Sequence, residues 1–230
     1  MDLQRLKKLQ ILDVTALKLI AMICMVLDHT GNAFFPEKIW FRAIGRIAMP
    51  VFAFCVSEGF IQTGDRKRYI LRMLFFGFIS EVPFDLFVSG KTFDLSNQNI
   101  LFTFAWALAG LGCYEQIAAR ERSVLRDFAS AFILLAFLAG SLLFRLDYNM
   151  TATAIIFVFY LLRYKTDWVR NISVAAVYAA FRNKGMNWFG LLGFIPIFMY
   201  NGRRGRGLKW LFYIFYPAHL LGIWLIDNML

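Results

Sequence analysis

From about residue 12 onward the chain is a succession of apolar runs, most of them near the length that crosses a bilayer and each closed by a short charged loop. Hydrophobic residues make up 60% of the 230, against 17% charged; a soluble domain is nearer half apolar and a quarter charged. The runs predict helices at about 12–35, 40–63, 68–88, 98–118, 127–144, 150–164, 170–181, 186–200 and 209–228. The seventh is too short to cross about 30 Å of hydrocarbon. The connections leave no room for a soluble domain of usual size, so residues 1–230 are expected to form a single all-α domain, a polytopic membrane bundle of about nine transmembrane helices.

Loop charges set the expected orientation. With the N-terminus inside, the inner connections hold 17 basic residues, among them Arg5, Lys7, Lys8, Arg66, Lys67, Arg68, Arg72, Arg203, Arg204, Arg206 and Lys209, and the outer ones only five, Lys38, Lys91, Arg145, Arg182 and Lys184. That asymmetry predicts a cytoplasmic N-terminus and an external C-terminus. The net charge of +10 then lies mostly on the cytoplasmic face, where it meets anionic lipid or an anionic cytosolic ligand. Nucleic acid is a poor partner, because the charges are scattered over short loops with no recognition module. The first apolar run carries Lys18 and lacks a small-residue cleavage site, which argues against a signal peptide. Cys24, Cys55 and Cys113 lie in apolar runs without metal-site spacing, and no metal is expected.

An ionisable residue within a span normally faces the bundle interior and has a partner there. At about 1.5 Å of rise per residue, Asp28, His29, Arg46 and Glu81 all fall about 10 Å below the outer ends of their helices. Arg42, Asp85, Asn97, Asn99 and Thr103 lie nearer the rim. Arg42 and Arg46 are four apart and share a helix face, as do Glu81 and Asp85. One shared cluster of two arginines and three carboxylates is therefore expected, with Pro83 loosening the helix between the acids. Asp28 and His29 point about 100° apart on a helix, so Asp28 is expected to pair with Arg46 and leave His29 to face a cavity, with Gly31 and Asn32 allowing a break in the helix. Lys18 and Glu58 lie at similar depth and form a candidate ion pair. His219, beside Pro217, lies near the midplane of the last helix. An imidazole in such a cluster can take a proton near neutral pH.

The segments "LKLIAMICMVLDHTG", "FRAIGRIAMPVFAFCVSEGFIQT", "RYILRMLFFGFISEVPFDL", "NQNILFT" and "FYIFYPAHL" together resemble the TraX family, named for a protein linked to acetylation of conjugative pilin. That family resembles transmembrane acyltransferases that carry acyl groups from cytosolic acyl-CoA to acceptors at the outer face, in which a histidine on an early helix is the catalytic candidate. The resemblance implies a protein of the bacterial cytoplasmic (inner) membrane that takes acetyl-CoA as co-substrate and acetylates an extracytoplasmic amine or hydroxyl, a pilin N-terminus or a cell-envelope sugar. His29, with Asp28 and Arg46, is then the catalytic set. Arg42, Glu81, Asp85, Asn99, Tyr216 and His219 form the substrate-binding set, with Arg46 or Asn99 stabilising the oxyanion. Transfer is either direct or through an acetyl-histidine. CoA phosphates are polyanionic, and Arg66, Lys67, Arg68, Arg72, Arg203, Arg204, Arg206 and Lys209 are the basic groups available to them; no glycine-rich phosphate fingerprint follows a strand. A proton-coupled transporter built on the same buried acids and bases is the alternative reading.

Overall fold

In the computed structural model residues 9–181 and 185–230 are described; the expectations for Arg5, Lys7, Lys8, Arg182 and Lys184 lie outside them. The described residues form helices joined by turns and loops, with no strand among them and two isolated bridges, Leu12 with Tyr200 and Gln98 with Leu146. Nine segments follow one another: α1 Val14–Phe34, α2 Ile39–Gln62, α3 Arg66–Ser89, α4 Ile100–Ala118, α5 Val124–Leu143, α6 Asn149–Leu161, α7 Asp167–Phe181, α8 Gly185–Phe198 and α9 Lys209–Asp227. Five of them (α1, α2, α4, α5 and α9) are long and apolar enough to cross a membrane. Helix α3 is 24 residues long, but charges near both ends set it apart from those five.

Local chemistry places the boundaries. Asp13, Asp65, Asn99 and Ser123 cap α1, α3, α4 and α5 by accepting a backbone N–H in the first turn. Gly90, at φ 70°, ends α3 in the left-handed conformation that glycine adopts without strain. Helix α2 is interrupted at Arg46–Ile47, giving Ile39–Gly45 and Ala48–Gln62. The cause is Pro50: it has no N–H for the Arg46 carbonyl and its ring would collide with that group, yet it is tolerated in the first turn of the second half. The interruption follows Arg46, whose N–H still donates to the Arg42 carbonyl at 3.2 Å, so Arg42 and Arg46 keep their four-residue helical spacing and both reach Asp28. Pro83, by contrast, lies inside α3 without ending it. The expected break at Gly31 and Asn32 is also absent, since α1 runs unbroken to Phe34. A Cβ at Gly31 would lie 2.2 Å from the Cβ of Phe41, so this glycine serves close approach of α2 rather than helix opening.

Helix α1 packs against both halves of α2 and against α9, while α3 lies between α9 and α4. The starts of α1, α3 and α9 and the end of α2 meet at one end of the bundle. Two loops are sewn onto it. At this end, Val14 N–H donates to the Arg203 carbonyl (3.0 Å) and Thr15 Oγ1 to the Arg206 carbonyl (2.8 Å), holding the "NGRRGRG" loop against α1. Gly205 sits at φ +72°, where an added Cβ would be 2.6 Å from Asp13 and Thr15 atoms. At the opposite end, Gln98 N–H donates to the Arg145 carbonyl (2.9 Å) and Asp147 N–H to the Gln98 carbonyl (3.0 Å), fixing the α5–α6 turn beside the start of α4. Helix α5 is the least covered: Leu125, Phe128, Phe132 and Leu143 are each more than 70% exposed. Water does not tolerate such a face on a monomer, and lipid does.

Candidate functional site

The two histidines, 190 positions apart, meet. His29 Nδ1 lies 2.8 Å from His219 Nε2, and His219 Nδ1 lies 2.9 Å from the Phe215 carbonyl. A carbonyl only accepts, so His219 Nδ1 carries a hydrogen. In the neutral ring His219 Nε2 is then an acceptor, and His29 Nδ1 must donate to it. The lone pair of His29 is thereby assigned to Nε2. The imidazole centroids are 5.0 Å apart with the rings inclined by 13°, a separation equal to the hydrogen bond plus a ring radius on each side, so the rings meet edge to edge. Phe215 stacks on His219 at 4.5 Å and Phe87 tilts against His29 at 4.9 Å. Both neighbours restrict ring rotation, and His219 orients His29 as the buried carboxylate orients the histidine of a catalytic triad.

His29 lines a small chamber of about 60 Å³ together with Asp28, Tyr216, Asp147 and Tyr148. Asp28 Oδ1 lies 3.4 Å from Arg42 Nε and 3.7 Å from Arg46 Nη2. Those contacts are ion pairs without hydrogen-bond geometry, and Asp28 Oδ1 and Arg46 Nε are buried with no hydrogen bond among the described residues. Arg42 Nη1 also donates to Asn32 Oδ1 at 2.7 Å. Gly45 makes this approach possible, because a Cβ there would be 2.2 Å from that of Asp28. The two arginines stand behind Asp28; neither is on the chamber wall.

The single acid–arginine cluster expected from the sequence is in fact divided. Glu81 takes no part in the Asp28 pairs: it accepts from the Asn99 side-chain amide. Asp85 turns the other way and accepts the Asp94 N–H at 2.8 Å. Helix α3 faces α4 and α9 rather than α2, which is why these acids cannot reach Arg42 or Arg46. Asn99 is fully buried and committed: its amide donates to Glu81 and to the Gly77 carbonyl (2.8 Å), and its oxygen accepts from Leu101 N–H (3.0 Å). It has no donor left for an oxyanion. Lys18 and Glu58 do not pair either. Lys18 Nζ sits over the Phe212 ring at 4.8 Å, and Glu58 accepts from Tyr200 Oη at 3.0 Å.

At the other end a larger cavity, about 380 Å³, is lined by Lys18, Arg72, Arg204, Arg206 and Lys209, with no carboxylate on its described wall. Phe52 and Phe104 line both this cavity and the His29 chamber, so the two spaces share a wall. The other basic candidates are elsewhere. Arg66 pairs with Glu115 and, with Lys67, lines a separate groove; Arg68 pairs with Asp65 at 3.2 Å; Arg203 lines none of these spaces.

A profile described as TraX protein matches residues 13–227. The chain belongs to the TraX family. A 106-residue stretch is 37% identical to the probable fimbrial assembly protein FimC, serogroup H1, of Dichelobacter nodosus, covering 41% of this chain and 43% of that one. A 66-residue stretch is 39% identical to an uncharacterized protein, RP591, of Rickettsia prowazekii (strain Madrid E), covering 29% and 25%. The matched parts thus span less than half of either relative. No solved structure matches. With five membrane-length apolar helices, this TraX-family chain is a membrane protein. The motif stretches that suggested the family converge on the two adjoining spaces, whereas Asp147 and Tyr148 come from a stretch with little motif content. Their one signal is strain: Arg145, Tyr148 and Asn149 have φ of 51°, 58° and 49°, costly for a bulky residue and concentrated in a turn that helps close the chamber.

Proposed function

We propose that this TraX-family chain is an acetyl-CoA-dependent O- or N-acetyltransferase of the bacterial inner membrane, with a cytoplasmic N-terminus, an external C-terminus and nine membrane-inserted helices. It moves acetyl from cytosolic acetyl-CoA to an amine or hydroxyl at the outer face, a pilin N-terminus or an envelope sugar. The observation that carries the reading is the directed chain from the Phe215 carbonyl through His219 to His29, which leaves His29 Nε2 as the basic atom. The fimbrial-assembly name of the Dichelobacter relative favours an acceptor belonging to a surface structure.

The basic cavity offers five basic side chains and, on its described wall, no competing acid to the CoA phosphates, and its volume lies within the range of ligand pockets. The thioester reaches past Phe52 and Phe104. His29 Nε2 removes the acceptor's N–H or O–H proton as the acceptor lone pair attacks the thioester carbonyl. Asp28 lies on the chamber wall, and its carboxylate accepts from the acceptor and aligns it. With Asn99 committed and Arg46 behind Asp28, Tyr216, buried on the chamber wall, is the candidate to donate its O–H to the developing oxyanion. The C–S bond breaks, and the CoA thiolate takes the proton back from His29. Protonated His29 keeps its hydrogen bond to His219, which shares the charge.

The test is acetyl-CoA binding and single-turnover transfer with purified wild type and His29→Ala. The variant is expected to bind acetyl-CoA normally while transfer falls about 10²- to 10⁴-fold. Unchanged transfer removes His29 from the chemistry. Solute or proton movement in proteoliposomes, with no acetyl-CoA turnover, replaces the enzyme reading by the carrier.

A further inference from the structure

The groove that holds Arg66 and Lys67 has a use independent of acyl transfer. It measures about 850 Å³ and lies between the start of α3 and the ends of α4 and α6. Its wall is apolar and low, built from Ile70, Leu71, Ala109 and Gly112. Nothing lies within 4 Å of where a Cβ at Gly112 would stand, so the groove is open at that point. Its mouth is polar and charged: Arg66 pairs with Glu115, and Glu115 also accepts from Tyr160. Arg163 is held with its guanidinium 3.9 Å from the Tyr160 ring centroid, and its Nη1 donates to the Tyr160 carbonyl at 2.8 Å.

Three basic side chains against one carboxylate leave this mouth with positive charge in excess. Lys67 and Arg163 form no ion pair among the described residues. An apolar trough between membrane helices, ending in uncompensated cations at the level where helices meet loops, matches an amphiphile with an anionic head and hydrocarbon tail. We infer that this groove is a specific binding site for an anionic phospholipid of the surrounding bilayer, its phosphate held by Lys67 and Arg163 and an acyl chain lying along Ile70, Leu71 and Gly112. The Arg66–Glu115–Tyr160 network fixes the mouth, and the two unpaired cations take the head group.

The experiment uses the full chain in an uncharged detergent and reads its melting temperature while lipid is added. Phosphatidylglycerol at saturation is expected to raise it by about 5–10 °C, with phosphatidylcholine and soluble glycerol 3-phosphate giving little. Gly112→Leu starts a side chain in open space at the groove, with nothing within 4 Å of its Cβ, and with better helix propensity; it should abolish the phosphatidylglycerol shift. Lys67→Gln with Arg163→Gln leaves the trough intact and should weaken phosphatidylglycerol about tenfold or more. The inference fails if phosphatidylcholine matches phosphatidylglycerol, if glycerol 3-phosphate alone reproduces the shift, or if both variants keep the wild-type response. Because the readout is lipid binding, it stands or falls separately from acyl transfer.

Discussion

Two neighbouring spaces in this TraX-family chain solve opposite electrostatic problems. The larger gathers Lys18, Arg72, Arg204, Arg206 and Lys209 with no carboxylate on its described wall. The smaller has Asp28 on its wall, with Arg42 and Arg46 paired to it from behind. The difference follows from solvent. Arg204, Arg206 and Lys209 are exposed on the loop end, where water and salt screen their repulsion. Asp28 is 8% exposed, and a buried charge must be paired. Unneutralised cations are what an anionic ligand needs, whereas a neutralised, walled chamber is what a proton transfer needs.

Removing charge should therefore act in opposite ways at the two places. Asp28→Ala leaves two arginines facing each other without their acid and is expected to cost about 3–5 kcal/mol, the usual penalty for breaking a buried pair. Thermal unfolding of the detergent-solubilised protein would read this directly, and an unchanged melting temperature would mean the arginines find other partners. Arg204→Gln, Arg206→Gln and Lys209→Gln together should leave the melting temperature unchanged or raise it. The same triple variant should weaken acetyl-CoA binding about a hundredfold at low salt, since three exposed, solvent-screened charge contacts at up to about 1 kcal/mol each sum to about 3 kcal/mol. The wild-type affinity should fall steeply with ionic strength and the variant's much less. Equal affinities at low salt would move the CoA site away from this cavity.

The sequence pattern foretold the nine segments because each is an apolar run cut by charge or by a turn, and that signal is local. It also brought Asp28 opposite Arg46 by depth alone. Depth counting does not say which helix face meets which neighbour, so it merged Glu81 and Asp85 with the Asp28 pairs, although Glu81 is bound to Asn99 and Asp85 to the Asp94 N–H, and α3 meets the chamber with Phe84 and Phe87 instead. Nor does it register commitments such as Asn99, whose amide is consumed by Gly77 and Glu81. Helix α9 is last in the chain yet lies against α1 and α3; that long-range packing makes His219 the partner of His29, and no spacing rule reports it. The role of Gly45 was hidden for the same reason: a lone glycine between Ile44 and Arg46 looks like filler until Asp28 is found 2.2 Å from its missing Cβ.

His219 is off the chamber wall and holds His29 by a hydrogen bond, so it tests whether that order matters. His219→Ala removes the acceptor for His29 Nδ1–H and frees the ring to turn or change tautomer. Turnover is expected to fall about 10- to 100-fold, with acetyl-CoA binding unchanged and the pH profile altered. His219→Gln offers Oε1 as an acceptor and should restore much of the rate. A purely structural role would lower the melting temperature in both variants and leave the pH profile as it was.

The smallest effect is expected at the wall between the spaces. Phe52 lines both and Phe104, only 4% exposed, lines both from the other side. A chamber of about 60 Å³ has room for a very short acyl group, so the wall sets how much of the thioester's tail can pass. Phe52→Ala removes a ring that is only partly buried, so stability should change little, while the two spaces become one. Acetyl transfer should fall modestly, and the ratio of butyryl to acetyl transfer should rise by about threefold to tenfold, at or below the lower end of what a methylene is worth in an apolar pocket. Competition between acetyl-CoA and butyryl-CoA in one reaction measures that ratio without depending on enzyme concentration. If the ratio stays fixed while His29→Ala still abolishes transfer, the thioester reaches His29 by another route and the shared wall is only packing.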